Sequence, residues 1–418
     1  MDTLQSNLVD LGRLKTSVLA GESARPVDGA TIRILSRETH RTLEELTTNS
    51  SGQTDIVQLP APPLDYSLEP EDTARPYSEY DLEISASGFE TTLIRGVQIL
   101  PDAEALQNVQ LTEQASPTVQ LDAISIEEHT LWGHFPPKIP EDEVKELPDA
   151  GGFVVLPEPV IPEFIVVHAG LPSDSSAPNY WVPFKDYIKN VGSCEIYATW
   201  PENTIQANIL AILSFTLNRV YTEWYRGRGY NFTITNSTAY DHAFSYGRNI
   251  YSEISVAVDA LFTNYITRPG IRQPLLTQYC DGNRVQCPNW MTQWGSMSLG
   301  RQGYNTMDIL KHYYGYDIYL MVAQQVEGVP SSFPGTPLQV GSSGPAVRTI
   351  QTQLNAIARN YPALPTLVVD GVFGQNTRAA VEAYQQIFNL NATGIVDYPT
   401  WYAISNTYVA VTRMAELR

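Results

Sequence analysis

From Leu338 onward the apolar side chains fall at helical intervals. Val347, Ile350, Leu354 and Ile357 share one face of a first helix, and Ala380, Val381 and Tyr384 share one face of a second. Between them lies the turn DGVFG, punctuated by Gly371 and Gly374. The first third of the chain has the other rhythm. ATIRIL, YDLEISA and TTLIRGVQIL alternate in the manner of strands, and PVDGA, NSSG and LPAPPL supply the turns between them. A chain that keeps the two periods in separate stretches is expected to fold as a multidomain α+β protein.

At 418 residues the chain has room for two to four domains, at roughly 100–200 residues each. With 43% hydrophobic and 17% charged residues it has the apolar mass for real cores. No run approaches the roughly 18 uninterrupted apolar residues of a membrane span, so no membrane partner is expected. The opening MDTLQSNLVDLGRLKTSVLAG lacks a basic stretch followed by an apolar one, and no secretory signal is expected from it.

The net charge of −19 is unevenly placed. Residues 1–150 carry 27 acidic against 10 basic side chains, and residues 151–418 carry 18 against 16. Phosphate affinity comes from Lys and Arg, so nucleic acid is excluded as a partner. An acidic first third would be repelled by an anionic polymer; the plainer reading is that it keeps an accessory domain soluble. Three cysteines, Cys194, Cys280 and Cys287, are too few for a disulfide scaffold.

The composition divides the chain into four parts. Residues 1–114 are an acidic, β-rich front. Residues 115–162 read as a connector, because a charge run, a Gly pair and several prolines disfavour a packed element. Inside it VVLP, with Val154 and Val155, is a short strand or a protease-readable segment. Residues 163–330 form a middle domain, with a strand at FIVVHAG and helical periodicity over 202–226 and 251–266. After the joint VPSSFPGTP, residues 336–413 form the helical C-terminal module.

Four resemblances sharpen this. The C-terminal pattern L-x-x-G-x-x-G-x-x-V-x-x-x-Q-x-x-L, then DG-x-FG-x-x-T-x-x-A-V-x-x-Y-Q, then G-I-V-x-x-x-T-W, resembles the type 1 peptidoglycan-binding domain. The front resembles the carboxypeptidase-regulatory-like β-sandwich. The middle resembles the stage II sporulation protein D family. Tyr187, Val191, Glu195, Trp200, Pro201, Glu202 and Ala207 match its opening motif, and Met291, Gln293, Gly295, Gly303, Ile309, Leu310, Tyr313 and Tyr314 match its closing one. The chain departs at Ile196-Tyr197, where that family has Met-Pro, at Asn208 for Gln, at Thr292 for Ser, and at Pro288-Asn289 for His-Gly. The order of the parts is similar to clostridial spore cortex-lytic enzymes of the SleC type.

These resemblances imply a lytic transglycosylase that cuts peptidoglycan glycan strands, with Glu195 as its catalytic acid. One carboxyl suffices for that reaction, because the sugar's own 6-hydroxyl attacks C1; paired-carboxylate hydrolases need two. On spacing alone Glu195 reads as an ordinary loop or helix-end carboxylate, and Glu202 as a first-turn residue favoured by the helix dipole. Tyr240, Asp241, Gln293 and Trp294 are candidate substrate-binding residues, since aromatic faces pack on sugars and polar groups bind hydroxyls and N-acetyl groups. The SleC-type resemblance further implies a prosegment cut by a subtilisin-like Csp protease, with Val154–Val155 the expected processing site. It also implies spore cortex peptidoglycan as partner, and a place at the cortex or coat of a clostridial spore. No cofactor is expected. Cys280 and Cys287 are read first as unmodified thiols, then as a disulfide, then as zinc ligands with His242. The competing functions are a muramoyl-alanine amidase and a non-catalytic cortex-binding protein. His168, His242 and His312 fall in no H-x-x-E or H-x-x-x-H pattern that would favour the amidase.

Overall fold

The computed structural model describes residues 10–21, 25–71, 74–114, 121–146, 158–162, 164–325, 336–359, 361–388, 390–397, 400–401, 403–405 and 407–408. Val154 and Val155 lie outside the described residues.

The front is two facing sheets. Its longer strands are β1 (Asp10–Ala20), β2 (Thr31–Ser36), β3 (Thr42–Thr47), β4 (Val57–Ala61), β5 (Ser78–Ser85), β6 (Thr91–Ile99), β7 (Glu104–Leu111) and β8 (Leu121–Ser125). Along β1, Leu14, Thr16, Val18 and Ala20 are buried while their neighbours are not, the period of a strand with one covered face. β1 runs parallel to β7 and antiparallel to β4. The second sheet has the order β3-β2-β5-β6-β8, with β8 parallel to β6. Ile32, Ile34, Leu82, Ile84 and Ile94 fill its inner face.

β8 belongs to the stretch read from sequence as a connector, and so do residues 126–146, which cross the middle domain as a strap. Pro136, Pro137 and Pro140 remove backbone donors and forbid a regular strand there. Two buried glutamines satisfy the strap instead. Glu141 N donates to Gln278 Oε1 at 2.8 Å, and Gln278 Nε2 donates to the Ile139 carbonyl at 2.7 Å. Lys145 N donates to Gln273 Oε1, and Gln273 Nε2 donates to the Lys145 carbonyl, both at 2.9 Å. Composition alone hid this, because the partners lie more than 120 residues away in sequence.

The middle domain is built round α2 (Glu202–Tyr221), which packs against α1 (Phe184–Glu195), α3 (Ser252–Leu261), α4 (Gln293–Arg301) and α5 (Thr306–Tyr314). Every residue from Ala207 to Arg219 is buried, as expected of a helix wrapped by others. The helix read over 251–266 stops at Leu261, and Asn264–Thr267 is a strand paired with Tyr319–Val322. β-branched Ile266 and Thr267 favour that outcome. α1 ends where Ile196 turns extended, at φ −138° and ψ 152°, which leaves Glu195 at its last position.

One apolar cluster runs from the front into the middle domain. The strand Ile250–Tyr251 joins them physically, pairing antiparallel with β7 at the edge of the front's sheet. The C-terminal module has a core of its own, with Trp401, Phe373 and Tyr384 fully buried between α6 (Pro345–Ala358) and α7 (Gln375–Ile387). Its motif glutamines pin its turns. Gln351 accepts from Gly371 N and donates to the Val372 carbonyl; Gln385 accepts from Gly394 N and donates to the Ile395 carbonyl. Both glycines have positive φ, +75° and +70°, which is why the pattern puts Gly there. Among the described residues, no helix is long and apolar enough to cross a membrane.

Candidate active site

Glu195 is 4% exposed. Its Oε1 accepts from Ala243 N at 2.9 Å. Its Oε2 accepts from Gln293 Nε2 at 3.2 Å and from Thr130 Oγ1 at 3.3 Å. Gln293 opens α4, and the same amide nitrogen donates to the Glu195 carbonyl at 2.9 Å. The two family-like motifs, some 90 residues apart, therefore meet at one carboxylate.

Glu195 lines a cavity of about 50 Å³ with Thr130, Phe135, Pro136, Lys138, Tyr279 and Gln293. Ligand pockets run to roughly 300–1,000 Å³, so this cavity admits no sugar ring. The strap is what fills it. Thr130 N and Thr130 Oγ1 both donate to the Cys194 carbonyl, at 3.0 and 2.9 Å, and Ile139 N donates to the Ala239 carbonyl at 2.7 Å. Lys138 reaches in and donates to the Asp241 carbonyl. Burial pushes the Lys138 ammonium down to about 8, against the pull of Glu195 and Asp241; it is still charged at neutral pH. The cavity's other carboxylate, Asp281, is committed to a turn. Its oxygens accept from the backbone of Asn283, Arg284 and Val285.

The sequence-derived candidates separate. Gln293 stands on Glu195. Asp241 is fully buried and accepts from Arg219 Nε at 2.7 Å, Tyr225 Oη at 2.6 Å, Thr235 N at 2.9 Å and Thr235 Oγ1 at 2.7 Å. Trp294 is buried among Trp200 and Tyr197, with centroids 5.1 and 6.1 Å away. Tyr240 is half-buried, and its carbonyl accepts from Arg219. The reading of Cys280 and Cys287 as unmodified thiols is corrected: they form a disulfide, with Cα atoms 6.0 Å apart. In that state neither offers the thiolate that zinc would require. Cys194 is the buried free cysteine. His242 is buried and held neutral by its surroundings, its pKa driven well below the usual range; its Nδ1 pairs with the Tyr187 hydroxyl at 3.1 Å.

Thr130, Lys138, Tyr279 and Arg219 were not singled out from sequence. Arg219 had a readable signal. It is a lone basic residue near the end of a mostly apolar helical stretch, and such a residue is almost never fully buried unless paired. It forms a two-pronged pair with Glu141 of the strap, at 3.0 and 2.5 Å, besides its bond to Asp241.

Residues 343–404 match the model of the peptidoglycan binding domain family. The match supports peptidoglycan as a binding partner and a cell-wall-related role. No curated protein matches the chain. Among solved structures, the SleB N-terminal domain is 30% identical over 18% of this chain and 93% of that one, with a TM-score of 0.16. The minor pilin GBS52 of Streptococcus agalactiae is 15% identical over 27% of this chain and 48% of the pilin, at 0.19. Catechol 1,2-dioxygenase from Pseudomonas arvilla is 15% identical over 28% of this chain and 56% of the enzyme, also at 0.19. The chain thus spans about half the length of the latter two.

Proposed function

We propose that this chain is the precursor of a peptidoglycan-cleaving lytic transglycosylase of the spore cortex, with Glu195 as its acid and base. The observation that carries the reading is the buried Glu195 carboxylate, fixed by Gln293 and Ala243 in a cavity that a segment of the same chain fills. The peptidoglycan-binding match supplies the substrate class.

In this reading Glu195 protonates the departing glycosidic oxygen, and its carboxylate then removes the proton of the sugar's 6-hydroxyl as that oxygen attacks C1. The product is an anhydro-muramic end. Asp281, being committed to its turn, is not placed to activate a water, which favours the one-carboxylate route over paired-carboxylate hydrolysis.

The strap supports the zymogen half of the proposal. Front and strap together are the prosegment, and a subtilisin-like Csp protease cuts after them, at Val154–Val155. The strap precedes that cut, so cleavage alone does not clear the cavity. The front must come away and carry the strap with it. The enzyme acts at the cortex of a clostridial spore, held there by its C-terminal module.

Mass spectrometry of digested cortex tests this. Processed protein should yield anhydro-muramic ends, and Glu195→Gln should abolish them while leaving wall binding intact. Stem peptides released with new muramyl carboxyls would instead establish an amidase, and full activity in the Gln variant would remove Glu195 from the chemistry.

A further inference from the structure

The cavity beside Glu195 is arranged round a positive charge. The Lys138 ammonium stands over two ring faces, 5.0 Å from the Phe215 centroid and 4.9 Å from that of Tyr279. It donates to the Asp241 carbonyl and shares the cavity with the Glu195 carboxylate. Two π faces, a carbonyl dipole and an anion are the parts of a cation site. None of the four belongs to the strap: Phe215 is on α2, Glu195 ends α1, Tyr279 precedes the disulfide, and Asp241 lies between them in the middle domain. The niche is therefore a property of the domain that remains when the strap leaves.

Its lining fits that role in two further ways. His242 stacks behind Tyr279 at 5.8 Å and 15° and lies 4.4 Å from Phe215. As a neutral ring it adds no competing charge. The nearby Arg219 is neutralised by Asp241 and Glu141. The His242 Nε2 is buried with no hydrogen-bond partner among the described residues, an unusual cost, while the Tyr279 hydroxyl sits beside the Glu195 carboxylate.

We propose that this niche is a cation subsite, filled by the Lys138 ammonium in the uncut chain and, once the strap has left, by the positive charge that develops on the sugar ring during cleavage. The proposal rests on the reading of Glu195 given above. As Glu195 transfers its proton to the glycosidic oxygen, the C1–O bond breaks and its electron pair stays on that oxygen. The ring becomes oxocarbenium-like. The 6-oxygen then closes on C1, and its proton returns to Glu195. The faces of Phe215 and Tyr279 attract the ring more strongly once it is charged, and so favour the transition state over the ground state. Lys138 is, in these terms, a tethered mimic of the charged sugar.

Charge selectivity can be measured without catalysis. In the full-length chain Lys138→Ala deletes the equivalent of n-propylammonium. Adding n-propylammonium chloride should raise the lowered thermal midpoint, whereas n-propanol and potassium chloride at equal concentration should not. The effect should vanish in the Lys138→Ala/Tyr279→Leu double variant. Equal rescue by propanol, or none by propylammonium, overturns the cation site. If Lys138→Ala does not fold, Lys138→Arg and Lys138→Met replace it. Arg should leave strap residues 126–146 as protected from proteolysis as in the parent, and Met should expose them at least fivefold; equal protection sinks the idea. In chain that has been cut and freed of its front, Tyr279→Leu should lower kcat tenfold or more with retention on peptidoglycan unchanged, and Tyr279→Phe, which keeps the ring face, should lose clearly less than Tyr279→Leu. An equal loss in both would place the effect in the hydroxyl and overturn the role of the ring face. If the parent forms no anhydro ends at all, the transglycosylase reading fails, while the rescue experiment still decides the niche.

Discussion

The front and the C-terminal module are both appended to the middle domain, and they are attached by different physics. The front shares its core with the middle domain and contributes an edge strand for Ile250–Tyr251 to pair with. Buried polar groups bridge the joint: Gln98 N donates to Asn249 Oδ1, and the Gln98 carbonyl accepts from Asn249 Nδ2 and the Tyr251 hydroxyl, at 3.0 to 3.1 Å. The module instead closes round its own Trp401, satisfies its own turns, and touches the middle domain edge-on through Tyr408 against Trp181, at 5.8 Å. A part that blocks a site until it is removed has to be over-determined, since every residual contact resists early opening. A part that only anchors needs an independent core and a tether. Under the proposed function the front is the first kind and the module the second.

The strongest test of that contrast is Asp241→Ala. It leaves Arg219, which is wholly buried, with Glu141 as its remaining carboxylate and the Tyr240 carbonyl as a further acceptor. Taking one carboxylate from a buried ion-pair network costs about 3–5 kcal/mol. Urea unfolding should show the loss in the front–middle transition and leave the module's transition in place. Trp401→Ala is the mirror experiment. Truncating a buried Trp costs about 3–5 kcal/mol, and here it should fall on the module alone. If either substitution moves both transitions together, the two cores are not independent. Asn249→Ala is gentler. It unpairs the Gln98 N–H and leaves the Gln98 carbonyl to the Tyr251 hydroxyl, a loss worth about 1–3 kcal/mol, and should make the front dissociate faster after the 147–157 segment is cut, as read by size exclusion over time.

The module's two helices and its pinned glycine turns were legible in the sequence because its contacts are local: Gln351 meets Gly371, and Gln385 meets Gly394, within about one helix–turn unit. The strands of the front were legible for a similar reason, as β1 and β2 carry their alternation in their own residues. The strap was not. Its proline-rich composition describes what it cannot form, while what holds it is a pair of glutamines and an arginine far along the chain. The site divided in the same way. Glu195 and Gln293, reached through motif likeness, meet at one carboxylate, whereas Asp241 meets a buried guanidinium and two hydroxyls. A carboxylate read without its partners looks the same whether it faces a sugar or a buried guanidinium. Tyr279 gave no sign at all, since an aromatic residue beside a cysteine has no periodicity to betray it.

Lys138 provides the smallest predicted effect and the one that bears most directly on the strap. Its ammonium is pushed down to about 8 in the folded chain from an ordinary value of 10.5. Between those pH values the unfolded chain holds more protons than the folded one. Stability against unfolding therefore rises with pH across that window, and the penalty for charging Lys138 is fully present below it. Lys138 as a whole is half-buried, so the effect is roughly 1–2 kcal/mol rather than the full electrostatic value. Buried tyrosines in both regions begin to oppose the rise as pH passes about 10, and the burial-raised thiol of Cys194 opposes it from about 9. The informative quantity is thus the difference between the parent chain and Lys138→Met from pH 8 to 10. The parent should gain on the variant across that range in its front–middle transition. The module is a built-in control, because residues 336–418 contain no lysine, and its transition should show no difference between the two proteins. A parent and variant that run parallel from pH 8 to 10 would mean that the Lys138 ammonium does not sit desolvated beside Glu195, and the strap would then have to occlude the cavity by bulk alone.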